Sequence, residues 1–310
     1  KEKIKERHKE YYETNKETVK EQRKKYYEQN KEKIKDQKRE YYEQNKEKSK
    51  LLIQDADVIF CLDFNILHRT KNLEPFLEAA TCTRILIDHH QQPQEEMFAY
   101  GISDTNKSST CEMVYDFIMD SGNGANINLD VATCLYTGVM TDTGSFRFRS
   151  TTSSTHRIIA DLIDKGAENH KIHSNVYDAN SYNRLLLLGQ ALSNLQILPN
   201  YKTAFITLST LEKKQFDFKK GDTEGIVNYA LSIRGMVLGV VVIDRKDQVK
   251  MSFRSLGEFN VNTFARRYFE GGGHKNAAGG KSIISLGETI QKFVSLLPNY
   301  EEALQKSYVQ

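Results

Sequence analysis

Three short sequences place acidic and imidazole side chains where elements of an α/β fold are expected to end. Asp88-His89-His90 closes one apolar strand-like run, Asp63 closes an earlier one, and Asp142 follows an apolar segment with helical spacing. The carboxyl ends of strands are where such sheets present ligands, and carboxylates with imidazoles suit divalent first-row metals. Asp63, His89 and Asp142 could therefore converge on one metal ion.

A second motif, Gly271-Gly272-Gly273-His274 continuing to Gly280, has the composition of an anion site. Glycines let backbone N–H groups approach an anion closely, and His274 can donate to a phosphate oxygen. The strand-like segment before the motif ends in Arg254 and Ser255, which offer a guanidinium and a hydroxyl to the same anion. The alternative is a flexible surface loop with a solvated histidine, and the first cluster favours the phosphate site.

Apolar runs and helical spacing predict a doubly wound α/β domain with a mostly parallel sheet over residues 51–180. Its first half has a β-α-β pattern and its second half is helical. The predicted strands are Val58–Leu62, Arg84–Ile87 and Phe98–Ile102, with Asn72–Ala80 between the first two, and the predicted helices are Thr110–Met119, Leu129–Met140 and Thr155–Lys165.

A smaller α/β domain is predicted over residues 201–310, after a linker at 181–200 that contains a Leu-rich helix. The same pattern rules give its elements. The predicted strands are Ala204–Leu208, Met236–Ile243 and Val249–Arg254, and the predicted helices are Tyr182–Leu195 in the linker, Asn260–Phe269 and Leu286–Leu297.

Residues 1–50 form a charged repeat of period 15, marked by Tyr11-Tyr12, Tyr26-Tyr27 and Tyr41-Tyr42. The apolar spacing predicts a long charged helix, a disordered arm, or a weakly right-handed coiled coil with a partner helix. The 18 Lys/Arg and 12 Asp/Glu of this segment leave open contact with single-stranded nucleic acid. The total charge of +3 therefore combines a basic tail with a mildly acidic body.

Length and composition suit two domains with apolar cores, since the chain has 310 residues and 39% hydrophobic content. Cys61, Cys82, Cys111 and Cys134 lie within or beside apolar segments without Cys-x-x-Cys spacing, which predicts buried, reduced thiols. No apolar run approaches the roughly 18 residues of a membrane span, and no signal-peptide pattern is present. A cytoplasmic location is expected.

Taken in order, these motifs resemble those of the DHH phosphoesterases. Asp88-His89-His90 matches the motif that names the family, Leu62-Asp63-Phe64-Asn65 looks like its second motif, and Thr141-Asp142-Thr143-Gly144 looks like its fourth. Gly271–Gly280 is similar to the signature of the DHH-associated C-terminal domain. The two-domain length resembles the branch of oligoribonucleases that also act as phosphatases on 3′-phosphoadenosine 5′-phosphate (pAp).

The resemblance implies a manganese-dependent phosphoesterase that uses a metal-activated water to hydrolyse short RNA or DNA oligomers and pAp. By resemblance, Asp63 would bridge two manganese ions, His89 and Asp142 would ligate one of them, and His90 would face the substrate phosphate. Mg²⁺ is a substitute that accepts similar oxygen ligands.

The resemblance also implies how the second domain would hold the rest of the substrate. A phosphate would lie on the residues Gly271, Gly272, Gly273 and His274, with Arg254 and Ser255 beside it. Near Asp142, the run Phe146-Arg147-Phe148 could stack on or pair with a nucleotide. An ordinary strand with alternating faces is the alternative interpretation of that run.

One family element has no counterpart in this sequence. The family begins with a strand and a His-x-x-x-Asp-x-Asp motif that supplies ligands to both ions, whereas His8 and Asp36 are the only histidine and aspartate in residues 1–50. Asp55 and Asp57 have no histidine four positions earlier. One ion at most would be well ligated, and the sheet would lack its first strand and keep an apolar edge. Little manganese-dependent hydrolysis by this polypeptide is therefore expected.

Three interpretations stay open. Residues 1–50 could be a foreign or misassembled segment joined to a truncated family sequence, and the abrupt change of composition at Lys50/Leu51 favours this. The chain could instead be an inactive homologue that binds nucleotides or single-stranded nucleic acid without cleaving them. The third is a related phosphodiesterase acting on cyclic dinucleotides or polyphosphate.

Overall fold

The computed structural model describes residues 45–245 and 247–307. Contacts divide this part of the chain into two units. The first unit contains the residues up to Leu86 together with Gln94–Ile102, and the second contains Ile87–Pro93 and the residues from Ser103 onward. Most of the predicted 15-residue repeat lies outside the described residues, of which 45–54 are helical.

The first unit is built on a three-stranded parallel sheet with the order β1-β2-β3. A 3-10 helix and α1, which has a proline in its first turn, follow β1. This arrangement confirms the predicted β-α-β pattern. The bounds are β1 Val58–Leu62, the 3-10 helix Leu67–Leu73, α1 Glu74–Ala79, β2 Thr83–Asp88 and β3 Tyr100–Ser103.

The Arg84 side chain fixes the connections around this sheet. Its Nε donates to the carbonyl oxygen of Met97 at 2.7 Å, and its Nη1 donates to those of Leu77 and Ala80 at 2.8 and 2.9 Å. The last carbonyls of a helix have no partner within the helix, so these bonds satisfy the end of α1. Arg84 thereby ties α1 and the segment before β3 to β2.

Strand β1 has an apolar surface that faces solvent. Val58, Phe60 and Leu62 are 45%, 45% and 42% exposed, whereas Cys61 between them is fully buried. Alternate residues of a strand point to opposite faces, so the three exposed side chains share one face. Among the described residues β1 is an edge strand, and the absence of a further strand beside it stays a prediction.

The four cysteines differ in exposure, and this gives a first testable prediction. Burial raises the pKa of the Cys61 thiol to about 11, whereas Cys134 on the helical layer is exposed. The prediction that all four thiols are buried is therefore wrong for Cys134. Since the thiolate is the nucleophile, we expect iodoacetamide at pH 8 to alkylate Cys134 first and Cys61 last. Peptide mass mapping over time checks this order, and early labelling of Cys61 would contradict it.

The second unit begins with a layer of four helices that pack around their own core. The core includes Tyr136 and Leu162, which are 2% and 0% exposed. The first three helices confirm predictions, and Asn128 and Thr152 begin two of them by accepting backbone hydrogen bonds. The helices are α2 Thr110–Asp120, α3 Leu129–Asp142, α4 Ser153–Asp164 and α5 Asn169–Tyr177.

A six-stranded mixed sheet with the order β4-β5-β6-β7-β9-β8 follows. Strands β5 and β6 are parallel, and the other neighbouring strands are antiparallel. The strands are β4 Gln196–Leu198, β5 Thr203–Leu208, β6 Leu238–Asp244, β7 Val249–Ser255, β8 Gly272–His274 and β9 Ala277–Ser282. The helices are α6 Tyr182–Ser193, α7 Thr210–Gln215, α8 Ile226–Leu231, α9 Val261–Tyr268, α10 Leu286–Leu296 and α11 Glu301–Lys306.

Each face of this sheet has a separate apolar core. One face carries Phe253 on β7 and packs against α9 and α10. The other carries Val241 on β6 and packs against α6 and α8. Leu187 and Ala191 of α6 are fully buried there. The helix predicted within the linker is therefore part of a core. No helix in the described part of the chain is both long and apolar enough to cross a membrane.

Candidate metal and phosphate site

Three histidines from two distant parts of the sequence meet in the second unit. The ring centroids of His89 and His90, which follow β2, are 4.9 Å apart, and those of His89 and His274 on β8 are 4.7 Å apart. The rings of His90 and His274 stack with centroids 4.3 Å apart. One ring nitrogen of each lies within 4.8 Å of the others, so the group has the spacing of metal or anion ligands.

His89 is held by a backbone carbonyl on one side and faces a carboxylate on the other. It is 7% exposed, and its Nδ1 lies 3.3 Å from the carbonyl oxygen of Lys107. A carbonyl only accepts, so Nδ1 is the donor in this contact, and in the neutral ring Nε2 is then the nitrogen that can ligate a metal. That Nε2 lies 3.7 Å from Oδ2 of Asp142, the last residue of α3. An imidazole lone pair beside a carboxylate suits a divalent cation.

The buried carboxylate of Asp88 orients His90. The backbone N–H of His90 donates to Oδ1 of Asp88 at 2.5 Å, and Nδ1 of His90 lies 3.1 and 3.2 Å from the two carboxylate oxygens. Burial opposes ionisation of Asp88, but the hydrogen bonds from His90 outweigh it and lower the pKa of the carboxyl. An ionised carboxylate only accepts, so Nδ1 of His90 carries a proton. The sequence predictions assigned no role to Asp88.

The loop that supports His89 is held by the buried carboxylate of Glu112. This group accepts hydrogen bonds from the Ser108 backbone at 3.2 Å, from the Ser108 hydroxyl, and from the Thr155 hydroxyl at 3.2 Å. The Lys107 ammonium lies 3.7 Å from it and 2.6 Å from Asp116. Glu112 therefore fixes the backbone whose carbonyl contacts His89.

Replacing Glu112 with alanine is expected to destabilise the protein measurably. Each of its buried donors would lose its acceptor, which costs about 1–3 kcal/mol per group. We expect a loss of at least about 2 kcal/mol in the free energy of unfolding, measured by urea denaturation. Glu302→Ala, which removes an exposed ion pair with Lys306, is the control and should change it by less than about 1 kcal/mol. Equal effects of the two changes would contradict this role.

The glycine motif forms a tight hairpin between β8 and β9, so the expectation of a loop is wrong for Gly272 and Gly273. A Cβ on Gly271 would lie 2.1 Å from the carbonyl oxygen of Gly279, and Gly273 has a φ of 149°. Side chains at these positions would collide with β9 or strain the backbone. The glycines thus bring β8 close enough to β9 to present His274.

Asn262, which is 2% exposed, joins the two histidine-bearing segments. Its Oδ1 accepts from the backbone N–H of Gly273 at 3.0 Å, and its Nδ2 donates to Oε1 of Gln91 at 3.2 Å. Gln91 directly follows His90, and Gly273 directly precedes His274. No sequence prediction singled out Asn262, because it lies in an ordinary helix and its partner Gln91 is 171 positions away in the sequence.

Arg254 and Ser255 lie at the end of β7, as predicted from the sequence. Arg254 is paired with Ala277 of β9, which is itself paired with His274. Burial lowers the pKa of the Arg254 guanidinium. The Ser255 hydroxyl donates to the carbonyl oxygen of Phe259 at 2.6 Å and accepts from the side chain of Asn276 at 2.9 Å. The predicted contacts of Arg254 and Ser255 with a ligand stay predictions.

The two remaining predicted site segments are Asp63 and the run Phe146–Phe148. Asp63 directly follows β1 in the first unit, is exposed and has a φ of 65°. Its part in metal binding stays a prediction. The run Phe146–Phe148 is not a strand, because Ser145 and Phe146 have positive φ values. The Phe146 ring is partly buried and packs 5.9 Å from Tyr136 in the helical core, and contact of this run with a nucleotide stays a prediction.

Comparison with known proteins identifies the family of this chain. The DHH family N-terminal domain matches residues 9–139, and the DHHA1 domain matches residues 200–300. The chain belongs to the DHH family. A solved structure described as an exopolyphosphatase-related protein from Bacteroides fragilis is 38% identical, with a TM-score of 0.81 over 85% of this chain and 77% of that one.

Two curated relatives are described as bifunctional oligoribonuclease and PAP phosphatase NrnA. The protein from Bacillus subtilis is 32% identical over 62% of this chain and 60% of its own length. The protein from Thermus thermophilus is 32% identical over 63% of this chain and 57% of its own length. The chain thus spans about three fifths of the length of these relatives.

Proposed function

We propose that this chain is a phosphoesterase-type protein that binds pAp and short oligonucleotides in the site formed around His89, His90 and His274. The observation that carries the proposal is the convergence of these three imidazoles with ring centroids 4.3–4.9 Å apart. The relatives described as oligoribonucleases and PAP phosphatases support this substrate class.

Manganese is the proposed cofactor, with Mg²⁺ as a substitute. The donor set fits a divalent ion, because the Nε2 lone pair of His89 lies beside the carboxylate of Asp142. The family resemblance adds Asp63 as a ligand. When bound, the ion supplies positive charge that stabilises phosphoryl oxygens.

Each remaining side chain has a separate task in the proposed site. Nδ1–H of His90 donates a hydrogen bond to the Asp88 carboxylate, so Nε2 is the ring atom left to meet a phosphate oxygen, to which the doubly protonated ring would donate. His274, stacked on His90, contacts a second oxygen of that phosphate or the next one. Arg254 offers its guanidinium to an anion two strands away from His274.

We also propose that this polypeptide binds such ligands and hydrolyses them slowly. Residues 1–62 contain no His-x-x-x-Asp-x-Asp sequence, which by the family resemblance supplies ligands to both ions, so the second ion is expected to bind poorly. A nucleotide-binding protein without appreciable turnover is therefore the second candidate function.

One experiment tests both parts of the proposal. The 310-residue chain is titrated with pAp by calorimetry, and phosphate release is then followed in the same samples with 1 mM Mn²⁺ as the chosen condition. Saturable binding with little phosphate release is expected. Absence of pAp binding would contradict the proposed function, whereas rapid release would overturn slow hydrolysis alone. Preferential binding of a cyclic dinucleotide or polyphosphate would favour the third interpretation.

A further inference from the structure

One face of the six-stranded sheet is covered over only part of its width. Helices α6 and α8 pack on β5 and β6, and a Cβ on Gly239 of β6 would lie 3.0 Å from Leu231 of α8. Beyond β6, the same face continues on β7 and β9. There the burial of β7 alternates strictly, with Val249, Met251 and Phe253 in the core on the opposite face. The intervening residues of β7 therefore line the partly open face.

The register of β7, β9 and β8 arranges this face in three rows. Directly paired residues of antiparallel strands have side chains on the same face. The first row contains Arg254 and, across Ala277, His274, both already assigned to the phosphate site. The second row contains Ser252, Gly279 and Gly272, and the third contains Lys250 and Lys281.

The far end of the face is rich in cations. Lys250 and Lys281 are both exposed. The pKa of Lys250 is lowered by burial first and then by the positive charges of Arg245 and Lys220, although Glu224 opposes the shift. Lys281 lies 3.1 Å from the carboxylate of Glu270. A cluster in which like charges repel one another gains stability when an anion enters it.

The middle row leaves room for a ligand. A Cβ placed on Gly279 would meet no atom closer than the carbonyl oxygen of Met251 at 3.9 Å, in contrast to Gly271 and Gly273. Gly279 does not have a positive φ, so neither strain nor crowding requires glycine there. Because Gly279 has no side chain, a ligand chain has room to run from the first row to the third, past the Ser252 hydroxyl.

We propose that this face of β7 and β9, from Arg254 to Lys250 and Lys281, binds the sugar-phosphate backbone of an oligonucleotide beyond the phosphate held by Arg254 and His274. The inference rests on the proposed function and extends it to ligand length. Four residues of strand span about 14 Å, enough for more than one phosphodiester. Since cations and a hydroxyl line the second and third rows and no aromatic side chain lies in those two rows, recognition there depends on phosphate number and not on base sequence.

The test compares two probes on the full chain without metal, so that no hydrolysis intervenes. The probes are pAp, which reaches only the first row, and a fluorescein-labelled tetra-adenylate, which reaches all three. Lys250→Gln should weaken binding of tetra-adenylate about fivefold and reduce the slope of its log affinity against log salt by about 0.7. The affinity for pAp should be unchanged. The control Lys306→Gln, on α11, should alter neither.

A second variant tests the path between the rows. Gly279→Glu places a carboxylate in the open middle row and should weaken tetra-adenylate binding by about tenfold or more, with an unchanged far-ultraviolet circular dichroism spectrum as proof of folding. If this variant does not fold, Lys250→Gln decides the question. Equal tetra-adenylate affinity and salt slope for Lys250→Gln and wild type, with pAp bound normally, would overturn the extended face and leave the proposed function standing. Failure of both probes to bind wild type would overturn both.

Discussion

Replacing His274 with alanine is expected to weaken pAp binding by about 10- to 100-fold. A hydrogen bond to a charged group contributes about 1.5–3 kcal/mol, and His274 also stacks on His90 with ring centroids 4.3 Å apart. Loss of the ring therefore removes one phosphate donor and one wall of the pocket that positions the other. Calorimetric titration with pAp measures the change.

The matched control for His274→Ala is His170→Ala. His170 is exposed on α5, in the helical layer, and its replacement should leave pAp affinity unchanged. Deletion of residues 1–50, which contain the Lys and Tyr residues of the repeat, provides a second comparison. This deletion should also leave pAp affinity unchanged. If instead His274→Ala binds pAp like wild type while the deletion abolishes binding, nucleic-acid affinity resides in the basic repeat and the assigned phosphate site is wrong.

The second large effect is expected for Asp88→Asn. The carboxylate accepts from both the backbone N–H and Nδ1 of His90. An amide keeps one acceptor and turns an N–H toward Nδ1, so the His90 ring must change its tautomer or its orientation. We expect pAp affinity to fall about tenfold or more, together with a lower melting temperature because the site is fully buried.

Asp120→Asn is the control for this change, because Asp120 is exposed at the end of α2. The ¹⁵N chemical shifts of the His90 ring provide a direct readout of its tautomer. We expect Nδ1 to carry a proton in wild type and to lose it in the variant. Unchanged ring shifts with unchanged pAp affinity would show that Asp88 does not position His90.

The sequence predicted the long elements well, because their patterns follow from packing. Strand β7 alternates buried and exposed residues, and α3 and α4 have apolar residues with helical spacing and polar side chains that accept hydrogen bonds at their first turns. Helix α5 was not predicted, since Ile172 is its one buried residue and its composition is that of a polar loop. Such a helix depends on its neighbours, which a local pattern does not reveal.

A prediction from the sequence was wrong where the local residue pattern indicated one backbone conformation and tertiary contacts imposed another. Phe146-Arg147-Phe148 alternates like a strand, but the Thr143 side chain and positive φ values at Ser145 and Phe146 turn the chain there. The predicted contact of Gly271, Gly272 and Gly273 with an anion stays a prediction. The N–H of Gly273 donates to Asn262, and the close approach of β8 to β9 requires residues without side chains at Gly271 and Gly273.

The candidate site was predicted by residue type but not by its internal support. The Asp88–His90 pair depends on the backbone conformation after β2, and the Gln91–Asn262 bond joins residues 171 positions apart. Neither contact corresponds to a residue spacing that can be recognised in a single sequence. The prediction therefore identified groups able to bind a metal or a phosphate, whereas the structure identifies Asp88, Glu112 and Asn262 as residues that support the positions of His89, His90 and His274.

A crystal structure of the 310-residue chain with pAp tests the central claim most directly. We expect a phosphate oxygen within hydrogen-bonding distance of Nε2 of His90 and a ring nitrogen of His274, with Asp88 still bonded to Nδ1 of His90. A nucleotide bound elsewhere, with the three imidazoles left without contact to any phosphate at saturating pAp, would contradict the account.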